Sequence, residues 1–126
     1  NFIGESNLLQ GSAVPAQGNS LVFTSATGLE VRLTSGAGRT QTGDCCLVLR
    51  PEYVMLGMGA REGANSYPGT ILEVIYLGDI VKYRVALESG DQLFAKTMAN
   101  GELGVLTAGS AVVVSWGAND GLLLPG

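Results

Sequence analysis

The residues best placed to act on a partner are Arg50, Pro51 and Glu52. They stand as one Arg-Pro-Glu corner directly after the uncharged run Cys45-Cys46-Leu47-Val48-Leu49. That run reads as a strand buried on both faces. Pro51 lacks a backbone N–H, so the sheet ladder must break there. A rigid strand then delivers two opposite charges at one corner. The pair has two readings. Arg50 and Glu52 either fix a partner surface, or simply pair with each other at a turn, which contributes under about 1 kcal/mol when exposed.

Catalytic chemistry finds little else to use. The chain has no His, which removes the commonest general base and metal ligand. No Ser or Cys therefore has a His partner, and the 11 carboxylates show no close pair on a helix or strand, while nothing singles out a pair across adjacent strands. Gly57-Met58-Gly59-Ala60-Arg61-Glu62-Gly63 approximates a dinucleotide loop, but its spacing is off by one and no helix follows. Ser35-Gly36-Ala37-Gly38-Arg39-Thr40 lacks the Lys and the spacing of a phosphate loop and reads as a hairpin loop. Tyr76, Tyr83, Phe94 and Trp116 offer a base-stacking platform or, equally in type, core packing. The acidic balance, net −4 with a pI near 4.6, favours packing and argues against a nucleic-acid partner.

The elements that position these groups are short strands. With 46% hydrophobic residues, 126 residues suit one domain with a real core. The 19 glycines fall between apolar runs, the mark of many strands and tight turns. Leu8–Val14 reads as a first strand ended by Pro15, followed by Leu21–Thr24 and an alternating strand at Leu29–Thr34. Gly57–Gly69 reads as a loop. Ile71–Leu77, Ile80–Leu87 and Gln92–Met98 follow as strands, with Glu88-Ser89-Gly90-Asp91 as a hairpin turn. Lys82 and Arg84 share one strand face. Ala99–Gly109 reads as a loop with room for one helical turn. Ser110–Trp116 is a buried strand and Leu122–Leu124 a closing one. No run reaches the ~18 apolar residues of a membrane span. Cys45 and Cys46 point to opposite strand faces and are badly placed to bond each other, which fits a reducing compartment.

A weak repeat organises the chain. Gly43-Asp44 leads into Cys45–Leu49, and Gly109-Ser110 leads into Ala111–Ser115; each buried strand ends in a turn and a short apolar run. The expected fold is all-β, OB-fold-like, one or two barrels from two related β-units with little or no helix. The expected boundaries are a lead-in at 1–6, a first unit at 7–68 and a second at 69–126. The absence of a starting Met sets the expectation of a piece from a longer protein.

These residues resemble a family. Asn1-Phe2-Ile3-Gly4-Glu5-Ser6-Asn7-Leu8-Leu9 is similar to the junction after the ATPase domain of bacterial ABC importers. Leu49-Arg50-Pro51-Glu52 resembles the hallmark corner of the TOBE (transport-associated oligonucleotide-binding-like) domain that follows. Gly69-Thr70-Ile71, Tyr76-Leu77-Gly78-Asp79 and Tyr83-Arg84-Val85 resemble its second half, and Gly109–Trp116 its closing strand. The Tyr-Leu-Gly-Asp form is most similar to the spermidine/putrescine and iron branch.

The resemblance implies a non-catalytic regulatory and dimerisation domain in the cytoplasm, held at the inner membrane through the transporter complex. It implies no cofactor in this chain, with ATP and Mg in the missing ATPase domain. The implied partners are its own ATPase domain, a homodimer twin and, indirectly, the permease subunits. Arg50, Pro51 and Glu52 would dock the barrel to its ATPase domain. Asp79, Tyr83, Glu88 and Asp91 are candidates for sensing a polyamine. The alternative function is a barrel that binds a small ligand, an oligonucleotide or an oligosaccharide.

Overall fold

The computed structural model describes residues 5–57, 64–101 and 104–126. Among them run ten strands: β1 (Asn7–Ala16), β2 (Ser20–Ser25), β3 (Glu30–Thr34), β4 (Gly43–Leu49), β5 (Met55–Gly57), β6 (Asn65–Leu77), β7 (Ile80–Leu87), β8 (Gln92–Met98), β9 (Ala111–Trp116) and β10 (Gly121–Pro125). Alternating apolar residues turn one face of each strand inward. Val81, Tyr83, Val85 and Leu87 on β7 are all buried.

The strands form two five-stranded antiparallel sheets, ordered β10-β4-β1-β2-β3 and β5-β9-β6-β7-β8. The halves are interlocked. The short strand β5, from the first half, pairs with β9 in the second sheet, and β10, from the second half, pairs with β4 in the first. Each sheet curls toward closure. In the first, Thr34 N–H donates to Ala118 O (2.9 Å) and Leu123 N–H to Gly38 O (2.8 Å). Arg39 adds to this, its Nε donating to Thr34 O at 2.6 Å and its Nη1 to Gly121 O at 3.3 Å. In the second, the turn before β5 packs against β8. The result is an all-β, OB-like tandem with one continuous core that includes Phe23, Leu33, Leu47, Ile71, Tyr83 and Trp116.

Two expectations from the sequence change. β1 does not stop at Pro15 but runs through it to Ala16. Pairing with β4 ends at Ala13, so Pro15 lies where β1 has only β2 beside it. A missing N–H is tolerated at such an edge. The expected loop at Gly57–Gly69 contains Gly57 of β5 and Asn65–Gly69 of β6. Pro68 again sits where its strand has one neighbour, β9, because β7 joins only from Gly69. The expected boundary at 68/69 thus falls inside a strand. The expected loop at Ala99–Gly109 holds turns and irregular chain at 99–101 and 104–109, and the place of its helical turn at 102–103 lies outside the described residues.

The repeat has a physical counterpart in β1 and β6. Each passes from one neighbour to the other at a glycine: Gly11 opposes both Ser25 and Cys45, and Gly69 opposes both Leu87 and Val112. A Cβ at Gly11 would overlap the Thr24 carbonyl oxygen; one at Gly69 would come within 2.9 Å of Val85 Cγ1 and 3.1 Å of Ala86 O. Close approach of the neighbouring strands, not a left-handed φ, is what favours glycine at both points, by backbone at Gly11 and first by the Val85 methyl at Gly69.

Candidate functional site

The corner forms because β4 runs out into a proline. Arg50 is extended, and Pro51 opens one 3-10 turn through Tyr53. Tyr53 N–H donates to Arg50 O at 3.0 Å and Val54 N–H to Pro51 O at 3.2 Å. Pro51 suits the first position of such a turn, where its missing N–H has no partner to lose. Its ring is buried. Arg50 Nη1 lies 3.9 Å from Glu52 Oε2, with the side chains 43% and 52% exposed. At that distance and exposure the pair contributes under about 1 kcal/mol. The two charges flank two depressions. Glu52 borders one of about 420 Å³ with Val54, Met55, Leu56, Lys96 and Met98. Arg50 borders another of about 280 Å³ with Val48, Tyr53, Asn119, Asp120 and Leu122.

The other candidates do not form one site. Asp79 is exposed in the β6–β7 turn, and its carbonyl accepts the Ala99 N–H at 2.9 Å. Glu88 is exposed beyond the far end of β7. At about 3.3 Å per residue, nine residues of strand place it roughly 30 Å from Asp79. Tyr83 is buried, and its hydroxyl accepts the Leu106 N–H at 2.9 Å. Asp91 is engaged structurally: its Oδ2 accepts hydrogen bonds from Ser25 Oγ (2.9 Å), Thr27 Oγ1 (2.6 Å) and Ser89 Oγ (2.9 Å). It ties the β2–β3 hairpin of one sheet to the β7–β8 hairpin of the other.

The aromatic set is dispersed as well. Tyr83 and Trp116 are buried, Tyr76 is largely exposed, and the Phe94 ring carries the Lys82 ammonium 4.3 Å from its centroid. Trp116 packs instead on Tyr67, ring centroids 5.2 Å apart. Burial pushes the Tyr67 hydroxyl up to about 12; the Glu30 carboxylate adds to the rise and Arg32 opposes it. Tyr67 donates to the Glu30 carbonyl. Arg84 pairs with Glu73 at 3.1 Å and Gln92 at 2.9 Å. Both thiols are free; burial pushes each up, and Cys46 and Asp44 add to the rise at Cys45. Arg61 and most of the glycine-rich run at 57–63 lie outside the described residues.

Sequence reasoning missed two asparagines. Asn7 Oδ1 accepts the Phe94 N–H at 2.7 Å and Asn7 Nδ2 donates to Phe94 O at 2.9 Å. Asn65 Oδ1 accepts the Arg32 N–H at 2.7 Å and Asn65 Nδ2 donates to Arg32 O at 2.9 Å. Each buried amide thus satisfies the backbone of a strand in the opposite sheet, β8 for Asn7 and β3 for Asn65. The signal was present: Asn7-Leu8-Leu9-Gln10-Gly11 and Asn65-Ser66-Tyr67-Pro68-Gly69 share an Asn-x-x-x-Gly spacing.

The architecture defines a class, the tandem OB-like domain built on two interlocked β-units. The family model described as TOBE domain matches residues 47–124, a span that includes the Arg-Pro-Glu corner and β10. The chain belongs to the TOBE domain family. It is 31% identical, over its whole length, to the spermidine/putrescine import ATP-binding protein PotA of Rubrobacter xylanophilus, of which the match covers 33%. It is 34% identical, over 76% of its length, to PotA of Trichodesmium erythraeum, of which 27% is covered. It is 32% identical, over 75% of its length, to the putrescine transport ATP-binding protein PotG of Escherichia coli, of which 26% is covered. The chain therefore spans about a third or less of these relatives. Among solved structures, the cytoplasmic molybdate-binding protein ModG superposes with a TM-score of 0.77 over 95% of this chain and 96% of that one, at 17% identity. That likeness concerns the fold. No helix among the described residues is long and apolar enough to cross a membrane.

Proposed function

We propose that this chain is the non-catalytic regulatory and pairing domain of an ABC importer ATPase subunit that serves polyamine uptake. The observation that carries the reading is the match along the whole chain to a spermidine/putrescine import ATP-binding protein three times its length. The barrel pairs with its twin and limits how far two ATPase portions separate between cycles. ATP and Mg bind in the ATPase portion. The subunit sits on the cytoplasmic side of the inner membrane, and the permease subunits are indirect partners. Arg50 and Glu52 belong to the contact with the ATPase portion, and Pro51, its ring buried, sets the turn that presents them. The half-exposed Arg50–Glu52 pair supports this, because it places two opposite charges at the surface of one corner.

The test is ATP hydrolysis. The 126-residue chain gives none, and the longer polypeptide turns over ATP as a dimer. Clear turnover by the chain alone would falsify the reading. The fold likeness to ModG favours a second reading, a barrel that takes a small ligand. Calorimetric titration of the chain with molybdate, spermidine and a single-stranded oligonucleotide separates the two. Saturable 1:1 heat with any of them supports ligand binding; flat titrations support the pairing role.

A further inference from the structure

The two sheets seal their open edges differently. β3 ends the first sheet and β8 the second, and each has one paired neighbour, β2 and β7. On such a strand the N–H and C=O of every second residue point away from that neighbour. In β3 these residues are Glu30, Arg32 and Thr34, because the bonds from Ser25 N–H to Leu29 O and from Ser35 N–H to Asn19 O put the odd-numbered residues on the β2 side. Each of the three is engaged. The Tyr67 hydroxyl donates to Glu30 O, and Asn65 bonds both backbone groups of Arg32. Thr34 N–H donates to Ala118 O at 2.9 Å, and Thr34 O accepts from Arg39 Nε at 2.6 Å.

β8 lacks most of that seal. The bonds from Leu87 N–H to Asp91 O and from Ala99 N–H to Asp79 O set the same alternation, so Phe94, Lys96 and Met98 point away from β7. Asn7 engages both backbone groups of Phe94, and Met98 O accepts the Gly101 N–H at 3.1 Å. The backbone N–H and C=O of Lys96 and the N–H of Met98 have no hydrogen-bond partner among the described residues. They border the depression of about 420 Å³, which Lys96 and Met98 line on the β8 side and Val54, Met55 and Leu56 on the β5 side. Val54 and Leu56 are buried, while Met55 and Met98 are 46% and 57% exposed.

We propose that this slot binds a short extended peptide of another protein, which adds to β8 as a strand through Lys96 and sets one apolar side chain in the depression. The inference goes beyond the function proposed above and does not rest on it. Open backbone groups two residues apart on a strand match another extended chain; a helix has already spent its own groups internally. The slot is also short. Asn7 stops the pairing at Phe94 and the Met98–Gly101 bond stops it at Met98, which leaves about three residues, or roughly 10 Å. A single chain fits that length better than the edge of a folded second copy, whose neighbouring strands would meet the 51–53 turn packed on β8. Main-chain bonds give such a complex its affinity, and the apolar side chain in the depression gives it selectivity.

The experiment selects phage-displayed random heptapeptides on this chain and follows the best synthetic peptide by fluorescence anisotropy. Lys96→Pro removes the outward N–H and leaves the β7 ladder intact, whereas Lys96→Ala keeps that N–H. Met55→Asp puts a charge at the mouth of the depression. The inference expects binding about ten-fold weaker for Lys96→Pro and for Met55→Asp, and within about two-fold of the parent for Lys96→Ala. Thermal melts show whether each variant is folded. Hydrogen exchange at the Lys96 amide of the unsubstituted chain, expected to slow when the peptide binds, decides the matter should Lys96→Pro fail to fold. Enrichment of no peptide overturns the inference, and so does a bound peptide that leaves that amide exchanging at its free rate. A loss in Lys96→Ala equal to that in Lys96→Pro assigns recognition to the ammonium group and overturns it as well. A dimer in sedimentation that Lys96→Pro splits gives the edge to a second copy, and the inference fails.

Discussion

The two sheets share an interior plan and differ on the outside. Gly11 and Gly69 mark the crossing point of their long strands, and Asn7 and Asn65 bind the backbone of the opposite sheet with matching geometry. On the outer faces, Leu8, Leu122 and Leu124 stand where Ser66, Met55 and Gly57 stand in the other sheet. After β4 the chain turns through Arg50-Pro51-Glu52; after β9 it turns through Gly117 and Asp120, whose carboxylate accepts the Gly117 N–H at 2.7 Å. Closure constrains what faces inward, because unpaired backbone and overfilled cores are costly there. It leaves the outer face open to divergence, so residues found on one barrel alone are the ones to test for contact with a partner.

Substitution at the crossing points tests the interior half of this comparison most severely. Gly11→Ala is expected to cost about 3 kcal/mol, because its methyl meets the backbone at Thr24. Gly69→Ala should cost about 1–2 kcal/mol, since the nearest atom there is a Val85 methyl that can shift. Urea unfolding measures both, and a larger loss at Gly69 would break the ranking. Asn7→Ala and Asn65→Ala each leave one N–H and one C=O without a partner, a loss of about 2–3 kcal/mol. If the two sites are equivalent, the losses agree within about 0.5 kcal/mol.

The Tyr67–Trp116 stack has no counterpart at Leu9 and Leu49, the matching positions of the first sheet. The folded Tyr67 hydroxyl is raised from 10.0 to about 12. Its contribution is therefore complete below the unfolded value near 10 and lost as pH rises toward 12. Thermal melts between those values should show a decline that Tyr67→Phe abolishes; an unchanged slope in that variant assigns the decline elsewhere. The smallest effect is expected at the corner. Arg50→Ala and Glu52→Ala should each change the stability of this chain by less than about 1 kcal/mol. A larger loss would make the charged corner part of the fold and weaken its assignment to docking.

Much of the local structure is written in local chemistry. The five uncharged residues of β4, the proline that ends its ladder, the glycine turns and the alternation along β7 are consequences of neighbouring residues, and the structure has them as expected. The fold class and the presence of two related units followed from the same signals. What the sequence could not express is partnership. A period of two says that Leu123 and Leu56 point inward, but not into which sheet. The exchange of β5 and β10 between sheets, the Asn7 and Asn65 contacts across 87 and 33 residues, and the engagement of Asp91 with Ser25 and Thr27 join segments far apart in the chain. The separation of Asp79 from Glu88 belongs here too, since two acidic turns close in sequence sit at opposite ends of β7. Residue type set what each strand must bury and where it must stop. Chain closure in three dimensions decided which strands meet, because many pairings satisfy the same alternation and the one observed also gives the buried Asn7 and Asn65 amides their backbone partners across the core.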